Sequence, residues 1–471
     1  MKNFIKSLEL RLSDLFLLIG FLGLVVFLIF GQLFMQYEKP SEVALPLWVA
    51  IISFIIMIGC WSYYLYLEVY KKKESFSLIV IVAFALLALL NVIAIAVQPK
   101  LVVENVVVRY SEENPESVGT IVQAIINVSD THKFIFISEL IGVVAFIYIG
   151  LFVFPKRFKS ISFIKYLGYA LFVFLAVLIL YSYIFEFKNY IGFFKYLLGI
   201  ERKEGESIYY YAVESFIIHR NAYGMCMMIG IVFAFINHSI NNKWYNYLLA
   251  AFFYVNMIFS LCKTGLLISA LIIVIYLVYR LIATYKTHTK RNKLILIISG
   301  CALGVALLVA GVSYLSKGKV LGFIYNAIKS ITGGGQTLDS RVYIWDNSFQ
   351  LLRNGWWIIG RGFGTYNLML MPMNIASHED PVFPAHSAYV GLLAEGGLLF
   401  LLAYICLLGY IVYVSIKCFK KSPALAITIS LGILSFVLYS FIEAIHYLVY
   451  VFAFPMMILY HKSYSLQAEK E

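Results

Sequence analysis

NYLLAAFFYVNMIFSLC, residues 246–262, and LLISALIIVIYLVYRLIATY, residues 266–285, are two apolar runs separated only by Lys263-Thr264-Gly265. Each is long enough for a helix to cross a hydrocarbon core of about 30 Å. Neither alternates polar and apolar residues, as barrel strands must. Similar runs recur along the chain, and the pattern predicts spans at roughly 15–35, 44–67, 76–98, 134–154, 166–187, 222–238, 246–262, 266–285, 294–315, 387–415, 424–441 and 447–461. The expected fold is therefore all-α: a polytopic integral membrane protein of about 12 transmembrane helices. Of the 471 residues, 62% are hydrophobic and only 13% charged, which sets the chain apart from soluble domains.

The formal charge of +12 follows topology. Lys and Arg concentrate in short segments between apolar runs, not along one basic face, so no nucleic-acid partner is expected. With Met1 inside, the cytoplasmic segments include Lys71-Lys72-Lys73, Pro155 to Lys165, Lys286 to Lys293 and Lys417 to Lys421. They hold about 21 of the Lys and Arg residues, at about three times the outside density, so both termini are expected in the cytoplasm. The basic start, Met1 to Asp14, leads into an apolar run too long for a signal-peptide core and reads as an uncleaved first helix. The 6 cysteines lie in or beside apolar runs and form neither a disulfide framework nor CxxC spacing. No metal and no cofactor is expected. Nucleotide-loop, HExxH and GxSxG patterns are absent from the sequence, and no repeat of 20 to 50 residues stands out.

Three outside segments exceed turn length: an acidic one at roughly 99–133, one of mixed charge at 188–221, and the longest at 316–386. They divide the chain into helices 1–9 (1–315), an extracytoplasmic catalytic loop (316–386), and helices 10–12 with a cytoplasmic tail (387–471). Within the loop, Asp339-Ser340 sits where a helix N-cap belongs and Asn354-Gly355 supplies a stop. Between them Val342, Trp345, Phe349 and Leu352 keep helical spacing, predicting a short amphipathic helix. Gly360-Arg361-Gly362-Phe363-Gly364 then allows tight, irregular backbone.

Arg341 places a cation at a helix N-terminus, against the macrodipole, unless an anion is nearby. Free N–H donors plus a guanidinium suit a phosphate or diphosphate; pairing with Asp339 or with lipid headgroups is the alternative. His386 ends the loop at the membrane surface, where an imidazole can titrate near neutral pH and take a proton from an attacking hydroxyl, or simply hydrogen-bond a helix end. His378, Glu379 and Asp380 could serve as base instead, or form a solvated turn. Lys263 could reach a phosphate as a point charge, or snorkel. His219, Arg220 and Asn221 could hold an anionic headgroup, or anchor the topology. Glu395 lies about nine residues into a span and is costly in lipid, so it faces the bundle interior, as a structural hydrogen-bonding group or in a substrate cavity. Glu139 and Glu443 invite the same reading more weakly.

Taken in order, these residues resemble the O-antigen ligase and polymerase superfamily of Wzy-type polymerases and related ligases. His219-Arg220-Asn221-Ala222-Tyr223 resembles the family's Asn/Arg-rich helix entry, and Lys263-Thr264-Gly265 its Ser-Arg-Thr-Gly turn. Ser340-Arg341 with Trp345 and Gly360-Arg361-Gly362-Phe363-Gly364 match its loop pattern. His386-Ser387-Ala388-Tyr389 through Glu395-Gly396-Gly397 resembles its loop histidine entering a helix that ends in Glu-Gly. The resemblance covers mainly residues 215 to 415. Two departures stand out: Lys263 replaces the usual Arg, and Ser387 stands where Asn often follows the histidine.

The resemblance implies inverting glycosyl transfer on the outer face of a bacterial cytoplasmic (inner) membrane, from a polyprenyl-diphosphate-linked oligosaccharide. His386 would activate the acceptor and Arg341 would stabilise the departing diphosphate. Lys263, Arg361, His219, Arg220, Asn221 and Glu395 would bind substrate. The main expectation is a polymerase of repeat units for a capsule, exopolysaccharide or O-antigen, working among membrane lipids beside a flippase and a chain-length regulator. A ligase acting on lipid A core or protein is the runner-up. A transporter or lipid-glycan flippase is the reading from another class. It fits the span count, but the segment between the sixth and seventh spans is too short for the middle loop of a two-half carrier.

Overall fold

The computed structural model describes residues 14–27 apart from 21 and 25, 40–67, 78–98, 100–107, 120–127, 130–153, 161–200 apart from 199, 208–215, 220–284, 339–370 apart from 354 and 367, 387–443 apart from 421, and 457. The predicted spans at 294–315 and 447–461 lie essentially outside them. The described residues are predominantly helical: α1 (Pro40–Leu65), α2 (Leu78–Ala96), α3 (Asp130–Tyr148), α4 (Ile161–Phe185), α5 (Phe187–Leu198), α6 (Arg220–Asn241), α7 (Tyr245–Ser260), α8 (Lys263–Thr284), α9 (Asp339–Leu351), α10 (Ala388–Phe419) and α11 (Pro423–Ile442). In lipid no water is available to backbone groups, so a helix that closes its own hydrogen bonds is the solution these apolar runs can adopt. Five helical stretches among the described residues are long and apolar enough to cross a membrane: Gly168–Phe185, Arg220–Asn241, Lys263–Ala283, Ala388–Phe419 and Pro423–Phe441.

One element is not helical. The segment after α2, which the sequence marks only as acidic and outside, forms an antiparallel ribbon of β1 (Lys100–Val107) and β2 (Ile121–Asn127). Lys100 faces Asn127 and Val107 faces Ile121, with an irregularity between Val103 and Val106. Both strands are dense in Val and Ile, side chains that fit a pleated surface.

The chain divides into two compact units. The first comprises Met1–Tyr166, Asp339–Ile411 and Glu443–Glu471. Its core joins Ile95 of α2 and Phe136, Leu140 and Val143 of α3 to Phe363 from the loop. The second comprises Leu167–Leu338 and Val412–Ile442. There α6 is the central helix, buried along most of its length and packed against α7, α8 and α11. Small residues permit this closeness: a Cβ at Gly224 would stand 2.5 Å from Cβ of Cys262. At the base of α6, His238 Nδ1 meets the Tyr276 hydroxyl of α8 at 2.8 Å.

Candidate functional site

In the first unit the site is organised by a break in a helix. α10 is interrupted at Gly397, whose φ of 64° and ψ of −164° are not helical. A break orphans carbonyls before it and amides after it, and in a buried position each must find a partner. A loop segment supplies them. The N–H groups of Arg361 and Gly362 donate to the carbonyls of Ala394 and Glu395 at 2.7 and 2.8 Å, while Leu398 and Leu399 donate to the carbonyls of Trp357 and Ile358 at 2.8 and 3.3 Å. Residues 357–362 are thus laid into the break. The close approach demands glycine on both sides: Gly360 has φ +70° and a Cβ there would lie 2.5 Å from the Glu395 carbonyl, while a Cβ at Gly397 would run into the Ile358 carbonyl oxygen.

The same turn is tied to α9. Arg361 is 8% exposed, donates its Nε to the Leu351 carbonyl at 2.6 Å, and lies 4.5 Å over the Trp356 ring. A cation at the last carbonyl of α9 also complements that helix's dipole. Burial lowers the guanidinium pKa to about 10, so it stays charged at neutral pH. Tyr366 adds a second tie. Ser348 Oγ donates to the Ile344 carbonyl at 2.7 Å, so the Tyr366 hydroxyl donates to Ser348 at 2.5 Å. Burial raises the pKa of that hydroxyl.

The predicted helix after Asp339 is present as α9, and of the apolar residues whose spacing predicts it Leu352 is buried. Ile344, Asn347, Ser348 and Leu351 are buried, whereas Trp345 is half-buried and Phe349 is exposed, stacked on Trp357 at 5.9 Å. Polar Asn347 and Ser348 fall on the inner face, and for Ser348 the Tyr366 bond and the Ile344 carbonyl account for its burial. Arg341 is the third residue of α9, within its amino-terminal turn. His386 lies outside the described residues, which resume at Ser387, one residue before α10. Glu395 is buried at the break. Its main-chain carbonyl serves the turn, its Oε1 accepts weakly from the Gly364 N–H at 3.5 Å, and its Oε2 has no hydrogen-bond partner. Glu139, on α3, is also buried, and its Oε1 is without a hydrogen-bond partner.

In the second unit, three of the remaining candidates meet. Arg220 and Asn221 open α6, Lys263 opens α8, and the Tyr439 hydroxyl of α11 links the two helix starts. It donates to the Asn221 carbonyl at 2.7 Å, which leaves it to accept from the Cys262 thiol at 3.3 Å. The turn before Lys263 is local: Leu261 takes the left-handed conformation at φ 54°, and the Cys262 N–H donates to Ser260 Oγ at 3.2 Å. Two helix N-termini, each beginning with a cation, lie side by side, an arrangement suited to an anion. His219, beside them in sequence, lies outside the described residues. Tyr439 and Asn91 were not readable as site residues: Asn91 is one polar group inside an apolar run, and Tyr439 is one hydroxyl among several in another.

The fold and these sites define a polytopic helical membrane protein with a glycine-dependent loop seated in a broken helix. Residues 247–405 match the family model described as O-antigen ligase, which supports the resemblance of this segment to the O-antigen ligase and polymerase superfamily. The match includes Lys263, Arg341, Arg361, His386 and Glu395, but not His219, Arg220 or Asn221. No curated protein matches the chain.

Proposed function

We propose that this protein polymerises polyprenyl-diphosphate-linked oligosaccharide repeat units into a surface polysaccharide, on the outer face of a bacterial cytoplasmic membrane. The observation that carries the reading is the shared turn at residues 357–366. It ties α9, which bears Arg341, to α10, which His386 enters, inside the segment that matches the family. In this reading neutral His386 takes the proton from an acceptor hydroxyl as its oxygen attacks the anomeric carbon of the donor. The bond from that carbon to the diphosphate breaks with inversion, and the lipid diphosphate leaves. Arg341 and the N–H groups at the start of α9 stabilise the charge that develops on it. The imidazolium then returns its proton to water. Lys263, Arg220 and Asn221 are proposed to hold anionic groups of a lipid-linked substrate, with His219 beside them. Arg361 and Glu395 are proposed to act through the turn. Both termini are proposed to be cytoplasmic, with about twelve spans in all.

Purified protein in lipid should lengthen polyprenyl-diphosphate repeat units without added nucleotide sugar. Absence of any lengthening would overturn the polymerase reading. His386→Ala and Arg341→Ala should each remove activity with expression intact, and full activity in either variant would refute that residue's role. Only the neutral imidazole accepts a proton, so the rate should rise with pH through about 6.5. Arg361, with its pKa near 10, contributes nothing to that limb.

The description of the matching family favours a second reading, a ligase that moves finished glycan to another acceptor. Surface polysaccharide after gene deletion separates the two. One repeat unit capped on the surface marks a lost polymerase, and full-length chains stranded on the carrier lipid mark a lost ligase.

A further inference from the structure

α2 runs LIVIVAFALLALLNVIAIA, an apolar helix with one polar side chain, Asn91. That side chain is 1% exposed. A carboxamide in such a place is costly unless both its ends are bonded. It could have turned back to its own helix, but it reaches across to the two strands of backbone that meet at the break. Its Nδ2 donates to the Glu395 carbonyl at 2.8 Å, and its Oδ1 accepts from the Phe363 N–H at 2.8 Å. These partners lie 304 and 272 residues away in sequence. One turn further along α2, Ile95 fills the space beside Gly362, where a Cβ would stand 3.0 Å from the Ile95 nitrogen.

We propose that Asn91 is a positioning residue for the transfer reaction: it pins the Gly360–Gly364 turn and the α10 break to α2, and so fixes where α9 and the start of α10 stand relative to each other. The chain of contacts is continuous. Asn91 holds Phe363 and Glu395; two residues before Phe363, Arg361 holds the end of α9; three residues after it, Tyr366 holds the middle of α9. Four main-chain bonds between turn and α10 remain when Asn91 is replaced, so those two segments stay in contact but without the brace that fixes their relative position. What is lost is their attachment to α2, together with the bridge that Asn91 makes between Phe363 of the turn and Glu395 of α10. A device of this kind acts on the geometry of the reacting groups, where small displacements cost rate more than binding. It also makes the site depend on a residue outside the family-matched segment.

The inference rests on the proposed function only where it concerns rate, so its test has two arms. In the first, nitroxide labels are introduced through bioorthogonal residues at Asp346, exposed on α9, and at Leu86, exposed on α2, in full-length protein in lipid. Asn91→Leu should at least double the width of the distance distribution, and Asn91→Gln, which keeps both hydrogen-bonding groups, should narrow it again. An unchanged width in Asn91→Leu overturns the proposal whatever the activity. In the second arm, repeat-unit lengthening should show kcat lowered at least tenfold with KM within about threefold, a split expected of lost orientation. A broadened distribution with unchanged kcat, in a preparation whose wild type is active, overturns the positioning role. If the wild type lengthens nothing, the function reading fails and the distance arm still decides the clamp. Should Asn91→Leu not fold, Asn91→Ala carries both arms, since it removes both hydrogen bonds without adding bulk.

Discussion

Two irregular stretches interrupt the helices that carry the candidate residues, and they are built in opposite ways. The turn at 261–262 is local: Leu261 caps α7 through its own N–H to the Ile258 carbonyl at 3.1 Å, Ser260 caps the next amide, and α8 begins at once with Lys263. The turn at 355–364 is assembled from parts distant in sequence. Its amides and carbonyls pair with a break in α10, its arginine holds α9, and Asn91 of α2 closes it. A left-handed leucine suffices for the first, whereas the second requires glycine at 355, 360, 362 and 364, all at positive φ, and at Gly397 opposite. The difference is one of solvent. A reversal only two residues long satisfies most of its own polar groups, but a helix broken inside a bundle must borrow partners from elsewhere.

The comparison breaks first at Gly397. Gly397→Ala places a methyl against the Ile358 carbonyl oxygen in a backbone region that only glycine adopts readily. The inserted turn must then withdraw or α10 must straighten, and either leaves several main-chain groups unpaired. The expected cost is about 2–4 kcal/mol, seen as a large drop in the unfolding midpoint of detergent-solubilised protein. A midpoint within about 2 °C of wild type would mean the break does not depend on the insertion.

How much of this was legible follows the same division. α9 could be read because its signals are local: Asp339-Ser340 at its start and Gly355 after its end mark the helix observed at Asp339–Leu351. Span positions were readable for the same reason, and α6, α8 and α11 fall within a few residues of the runs that predict them. The irregular backbone at Gly360–Gly364 was visible as composition, but its partners were not. Nothing in an apolar run marks Asn91 as the group that closes a turn 272 residues later. The burial of Ser348 on α9 was not readable, because a serine looks like a surface residue until Tyr366 is seen beside it. The ribbon at Lys100–Val107 and Ile121–Asn127 went unread because its charge attracted attention away from its Val and Ile content. Arg361, expected among the substrate-binding residues, donates to the Leu351 carbonyl at the end of α9, a contact that depends on which carbonyl lies beside it.

Tyr439 tests whether the local turn is as self-sufficient as it looks. Its hydroxyl makes a long-range hydrogen bond at the 261–262 turn, and Tyr439→Phe removes the donor to Asn221 and the acceptor of the Cys262 thiol without changing the ring. A cost of about 1 kcal/mol is expected, well below that of Gly397→Ala. If the starts of α6 and α8 hold an anionic substrate together, KM for the lipid-linked donor should rise about threefold, on the order of 0.6 kcal/mol, with kcat little changed. A stability loss equal to that of Gly397→Ala would erase the distinction between the two turns.

Lys263 is the smallest and sharpest probe. It opens α8 half-buried, as a cation against the positive end of the helix dipole, which is unfavourable by a few tenths of a kcal/mol unless an anion compensates. Lys263→Met removes the charge and should therefore change stability by no more than about 0.5 kcal/mol. An ammonium that serves only to reach the interface has no bearing on substrate, so in that case KM is unmoved as well. If it holds a phosphate, Lys263→Met raises KM for the donor up to about tenfold, while Lys263→Arg restores the charge and adds a planar fork. The Arg variant should then lie within about threefold of wild type, with the shift in the direction of tighter binding, because the family pattern that this sequence resembles has Arg at the position. The contrast between Met and Arg variants at one turn, measured against salt, separates a phosphate contact from a snorkelling lysine, since exposed charge pairs weaken as ionic strength rises.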